Sequence, residues 1–145
     1  MRELGIRCIT RIKRDTFTDE GEHKIFKNIL KRRFSACTRP NQIWCADFTY
    51  LKKEDGTHRY NITILDLYDR SPIASINGER ITKELAIKAL DLTIKQVNRK
   101  TRRSLILHTD QGSQFTSSAF RAACKSYGVK QSMSRAGNPY DNAVI

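Results

Sequence analysis

At 145 residues and 16.7 kDa, the chain is long enough for one domain with a real core plus a short extra arm. Apolar residues at 39% and charged residues at 29% exclude a disordered chain, and no apolar run reaches membrane-span length. Twenty-seven Lys and Arg against fifteen Asp and Glu give +12, a balance that suits a polyanion such as DNA.

Residues 1–40 form a basic, weakly patterned arm: positions 1–43 hold eleven basic and five acidic residues. Within the arm, Ile25, Phe26, Ile29 and Leu30 recur at helical spacing, which predicts a helix of about two turns that docks on a neighbouring domain. Met1-Arg2-Glu3-Leu4-Gly5 lacks the apolar stretch of a signal peptide, so a cytoplasmic protein without a membrane partner is expected. Pro40 closes the arm, and residues 41–145 read as the core domain.

Ile43 to Leu51, rich in aromatic and β-favouring residues, reads as a strand. Glu54-Asp55-Gly56-Thr57 supplies a hairpin turn, Tyr60–Leu67 a second and buried strand, and Ile73–Ile76 a shorter third. Thr82 to about Asn98 is the clearest helix, capped by Thr82 and striped by Ala86, Leu90, Ile94 and Val97. Ser104–Thr109 is a short buried strand. Thr116 or Ser117 then caps a helix whose inner face is Phe120, Cys124 and Tyr127 and which Gly128 ends. Val129–Met133 is a last strand, and Ser134–Asp141 reads as loop. Three strands, helix, strand, helix, strand predicts an α/β fold, a mixed sheet flanked by helices.

Two acids stand out by position. Asp47 lies inside the first strand among Trp44, Phe48 and Tyr50, where a carboxylate is costly to bury unless paired or metal-bound. Asp110 follows Leu105-Ile106-Leu107 at a strand's carboxyl end, where ligand sites of open α/β sheets gather. Carboxylates on adjacent strands repel each other, and Mg²⁺ or Mn²⁺ relieves that repulsion with hard oxygen ligands. On position alone a plainer alternative stays open: Asp47 on the solvent side of an edge strand and Asp110 capping a turn.

Three blocks narrow the choice: Arg39-Pro40-Asn41-Gln42-Ile43-Trp44-Cys45-Ala46-Asp47-Phe48-Thr49-Tyr50, His108-Thr109-Asp110-Gln111-Gly112-Ser113-Gln114-Phe115, and Ser132-Met133-Ser134-Arg135-Ala136-Gly137-Asn138-Pro139-Tyr140-Asp141-Asn142-Ala143. In content and order they resemble the integrase-type catalytic core of bacterial insertion-sequence transposases. The resemblance implies a ribonuclease-H-like fold and an active site of two aspartates and a glutamate holding two Mg²⁺ ions. It also implies action on transposon ends and target DNA, within a homo-oligomeric assembly. The aspartates map onto Asp47, bridging both ions, and Asp110, holding one. Asn138, Tyr140 and Asn142 fall close to the family's site as DNA contacts, and the basic arm resembles the linker that follows an upstream DNA-binding domain. The family's glutamate comes shortly after the Asn-Pro-Tyr-Asp-Asn-Ala block, and the sequence ends at Ile145 just short of that position. Asp141 belongs to the preceding block and is no obvious substitute. The expectation is a core lacking its C-terminal helix and third acid, which binds metal poorly and is inactive. The alternative is a catalytically dead DNA-binding remnant or inhibitor of transposition.

The remaining candidates have simpler readings. His108 either orients a water or phosphate near Asp110 or is a satisfied strand-end histidine. Asp66 and Asp69 suit local turn bonds, and Trp44 suits the core. Lys52, Lys53, Arg102 and Arg103 are candidate phosphate contacts, the alternative being solvated surface charge. Cys8, Cys37, Cys45 and Cys124 show no CxxC pair and no zinc-like grouping with histidine. They read as free thiols, Cys45 and Cys124 as small core residues.

Overall fold

A computed structural model of the chain describes residues 23–135. Cys8, Asn138, Tyr140, Asn142 and the expected absence of a C-terminal helix lie outside the described residues. Five strands form one mixed sheet: β1 Ile43–Lys52, β2 His58–Asp66, β3 Pro72–Gly78, β4 Ile106–Thr109 and β5 Lys130–Met133. Their spatial order is β3-β2-β1-β4-β5. β1 pairs antiparallel with β2 and parallel with β4, and β4 pairs parallel with β5. The β1–β2 turn is closed by the bond from Lys53 N–H to Thr57 O at 2.9 Å, with Gly56 at φ +80. A left-handed residue is needed there, which glycine supplies without a Cβ penalty.

Two longer helices cover one face of the sheet: α1 Lys83–Ile94 and α4 Ser118–Tyr127. Thr82 caps α1 by accepting from the Leu85 N–H at 3.2 Å, and the Ala86, Leu90, Ile94 and Val97 stripe is buried as expected. The helix stops at Ile94 rather than near Asn98. Thr93 turns its hydroxyl back onto Leu90 O at 2.8 Å, and the Asn98 side chain caps a separate short helix, α2 Arg99–Arg102. α4 is capped by Ser117 and ended by Gly128 at φ +76. A short helix that the sequence reading lacked, α3 Ser113–Thr116, leads into it.

Side-chain alternation along β1 divides the core. Trp44 and Ala46 point into the main cluster with Ile62, Ile64, Leu90, Phe115 and Phe120. Ile43 and Cys45 point to the other face, where Leu30, Leu67, Phe34 and Cys37 cover them. Trp44 is therefore core, and Cys45 and Cys124 are buried free thiols, each pushed up to about 12 mainly by desolvation.

The predicted arm helix is a correction. Residues 23–28 carry no helix, because their backbone donors are spent on the core. The Lys24 N–H donates to Thr116 O at 3.2 Å, Phe26 N–H to Met133 Sδ at 3.4 Å, and Ile29 N–H to Ser132 Oγ at 2.9 Å. Lys31 and Arg32 then take positive φ angles, which end any helical continuation. The docking expectation holds in a different form: Phe26 and Leu30 turn inward while Ile25 and Ile29 stay exposed.

Candidate active site

The parallel β1–β4 pairing makes the site. Cys45 sits opposite His108, the last pair of the ladder; two residues further on, Asp110 just past the end of β4 is close enough for its charge to act on Asp47. Since β1 has a neighbour on each side, the edge-strand alternative for Asp47 fails. Asp47 lies on the same sheet face as Cys45, away from α1 and α4, and is half-buried. Burial pushes its carboxyl above its ordinary value, and the charge of Asp110 adds to the rise. The Phe48 N–H, donating to Oδ1 at 2.9 Å, partly opposes it.

Asp110 is held by its own turn. The Gly112 N–H donates to Asp110 Oδ1 at 2.9 Å, so the turn-capping role is real, yet it leaves the second oxygen for another partner. Gln111 Nε2 donates to Ser134 O at 2.8 Å, and Ser134 N–H to Thr109 O at 2.9 Å. These bonds tie the exit of β5 to the segment bearing Asp110. Behind the site, Phe48 and Phe115 pack with ring centroids 5.6 Å apart and stiffen β1 against α3.

His108 is fully buried on the same sheet face as its ladder partner Cys45, with Nδ1 and Ser132 Oγ 2.9 Å apart across β4–β5. Asp66 accepts from Asn41 N–H at 2.7 Å and Tyr68 N–H at 3.0 Å, and Asp69 accepts from Ser71 N–H at 2.9 Å and its hydroxyl at 2.6 Å. Asp69 is a local turn acid, as expected, whereas Asp66 joins its local bond to Tyr68 with a longer-range one to Asn41, 25 residues away. Lys52 ends β1 and Lys53 opens the hairpin turn, both exposed and five or more residues along from Asp47.

Sequence reasoning missed the surroundings of Asp47 on the sheet. Thr63 on β2 is directly opposite Asp47, and Ser75 on β3 is opposite Thr63. Asn61 links this row to the next, its Nδ2 donating to Ser75 Oγ and Asn77 Oδ1 at 2.9 Å each, while Thr63 Oγ1 donates to Asn61 Oδ1 at 2.7 Å. The alternation of polar and apolar residues in 60–65 was the available signal. A cleft of about 680 Å³ lies elsewhere, between the arm and α4, lined by Phe26, Ile29, Cys124 and Val129 with Lys24 and Lys125 at its rim.

A five-stranded mixed sheet of this order, with an acid in the central strand and another at the end of its parallel neighbour, defines a ribonuclease-H-like integrase-type core. An integrase core domain model matches residues 37–139. An uncharacterised 31 kDa protein of insertion element IS600 from Shigella sonnei is 38% identical over 99% of this chain and 52% of its own length. Transposase InsF for insertion sequence IS3A from Escherichia coli (strain K12) is 36% identical over 83% of the chain and 41% of its own. The transposase for insertion sequence element IS904 from Lactococcus lactis is 33% identical over 94% and 52%. The chain thus spans about half, or less, of these relatives. Two solved structures share the fold. One is a simian T-cell lymphotropic virus intasome in complex with PP2A regulatory subunit B56 gamma (TM-score 0.65, 22% identity, 85% of this chain and 41% of that one). The other is the HTLV-2 integrase catalytic core domain in complex with magnesium (TM-score 0.56, 23% identity, 66% and 62%). The chain belongs to the integrase core domain family, among the insertion-sequence transposases. Among the described residues, no helix is long and apolar enough to cross a membrane.

Proposed function

We propose that this chain is the part of a cytoplasmic DNA transposase that presents Asp47 and Asp110 to a divalent cation, Mg²⁺ or Mn²⁺, at the phosphodiester to be cut and joined. The observation that carries this reading is the pairing of two like charges on adjacent parallel strands, one of them raised by burial and by its neighbour. Uncompensated, that arrangement costs stability; a cation with hard oxygen ligands removes the cost. The residues fit such an ion: each carboxylate receives one backbone N–H and keeps an oxygen for coordination. Bound there, the metal supplies activation of the attacking oxygen and stabilisation of the leaving one. The chain's own part is positional. Phe48 and Gly112 N–H groups orient the two carboxylates, and the Phe48–Phe115 contact fixes β1 against α3.

A second reading, a DNA-binding protein without catalysis that acts as a remnant or inhibitor, is supported by the basic balance of the chain, +12 overall. Two carboxylates alone hold Mg²⁺ weakly, with a dissociation constant on the order of millimolar. Two assays decide between the readings. Mn²⁺ titration followed by nuclear relaxation should broaden signals around Asp47 and Asp110 and spare those of Asp47→Asn. Broadening that survives both Asp47→Asn and Asp110→Asn would overturn the metal assignment. Nicking of supercoiled DNA by the 145-residue chain in Mg²⁺, lost in Asp110→Asn, would favour the catalytic reading; metal binding without nicking would favour the second.

A further inference from the structure

Opposite the acids, at the amino-terminal ends of the parallel strands β1, β4 and β5, three segments meet. They are the approach to β1 (residues 37–42), the α1–β4 connection (residues 95–104) and the α4–β5 connection (residues 125–130). Their juxtaposition is fixed by several contacts. Arg39 Nη2 donates to Ser104 Oγ at 3.3 Å, Ile106 N–H to Gln42 O at 3.1 Å, and Lys130 N–H to Leu105 O at 2.9 Å. A Cβ on Gly128 would lie 3.8 Å from Arg103 Cγ, so the Arg103 stem runs beside the end of α4.

The three segments contain no Asp or Glu. Arg39, Arg99, Lys100, Arg103, Lys125 and Lys130 are all exposed on this surface. Between positions 99 and 103 only Thr101 is uncharged. Two acids adjoin this surface: Asp91 on α1, engaged by the Tyr127 hydroxyl at 2.8 Å, and the buried Asp66, engaged by the Asn41 N–H at 2.7 Å. The surface is also rigidly mounted. Asn98 caps α2 through the Thr101 N–H at 2.9 Å, and Arg102 is held by Val97 O at 2.7 Å, which aims its neighbours outward. Like charges gathered at one pole repel one another, and a dense polyanion relieves that repulsion where scattered solvent counterions do so only weakly.

We propose that this pole, centred on Arg99, Lys100 and Arg103, is a phosphate-binding surface for duplex DNA, separate from the acid pair. From Ile106 to Asp110 the strand rises roughly 13 Å, so the duplex held here is a segment flanking the phosphodiester presented to the acids. The inference rests on the reading of the chain as a DNA-acting core and adds a second place where DNA is held.

The test is fluorescence anisotropy of the 145-residue chain with a random-sequence duplex of about thirty base pairs in EDTA, across a salt series. The variants are the triple substitution Arg99→Gln, Lys100→Gln, Arg103→Gln and the control Lys88→Gln on the exposed side of α1, which should bind like the parent. Since the three side chains are exposed, the triple variant should melt like the parent. It should bind roughly 10-fold or more weakly at low salt, and its slope of log affinity against log salt should flatten by about 2–3, near 0.9 per lost phosphate contact. A triple variant within twofold of the parent and with an unchanged slope overturns the pole as a DNA surface, and parental binding would still stand. A parent chain that fails to bind at low salt overturns the inference together with the reading it rests on. Loss of Mn²⁺ relaxation at Asp47 and Asp110 in the triple variant would also overturn it, by showing that the two sites are not separate.

Discussion

The two faces of the sheet are built on different terms. On one, α1 and α4 press a continuous apolar cluster against β1, β2 and β4, with Trp44, Phe115 and Phe120 fully buried. On the other, the described cover is a short stretch of arm around Leu30, Phe34 and Cys37, and beyond it the face turns polar through Asp47, Thr63, Asn61 and Ser75. Apolar burial is the main favourable term in folding, so the first face carries the stability and the second is free to hold groups that oppose it. The site sits where stability can be given up.

Four measurements sharpen or break this contrast. Phe120→Ala, which opens a void between Phe115 and the sheet, should cost about 3–4 kcal/mol in denaturant unfolding. Leu30→Ala, on the thinly covered face, should cost about 2 kcal/mol; a loss equal to that of Phe120→Ala would show that the second face is no weaker than the first. Thr82→Ala, which removes the cap of α1, should cost about 1 kcal/mol. The smallest effect has the opposite sign. Because the folded-state value of Asp47 is raised above 3.8, its ionised form opposes folding at neutral pH. Without metal, Asp47→Asn should therefore raise the melting temperature by roughly 2 °C at pH 7. That gain should fade as the pH falls through the raised value towards 3.8, where the parent aspartate is also neutral. Added Mg²⁺ should stabilise the parent and leave the variant unmoved. A variant less stable than its parent at neutral pH would refute the idea that the site is held against the fold.

What was legible in the sequence was local. The hairpin at Asp55-Gly56, the Thr82 and Ser117 caps, the stop at Gly128 and the buried stripe of α1 all rest on residues acting within a few positions of themselves. Asp110 at a strand's carboxyl end was visible for the same reason. The centrality of β1 was not, because it depends on β4 returning from far along the chain to pair with it. Without that partner, an exposed edge position for Asp47 read equally well. The arm misled because helical spacing of apolar residues carries no information about competing hydrogen-bond partners, and Thr116, Ser132 and Met133 supplied them. α1 ended early because Thr93 and Asn98 offer side-chain bonds that compete with the helical ladder. The row from Asp47 through Thr63 to Ser75 needs strand register, which periodicity alone does not set.

The parallel pairing of β1 with β4 also orders events in time. β1, β2 and β3 form by successive hairpin contacts, whereas Cys45 meets His108 only after the chain has passed through α1 and α2. Closing that long loop costs more chain entropy than the hairpins do, so β4 docking is expected to follow them. The two aspartates therefore begin to repel each other only as β4 docks. Neutralising either one should act on the docking step and leave the speed of the β1–β2 hairpin untouched.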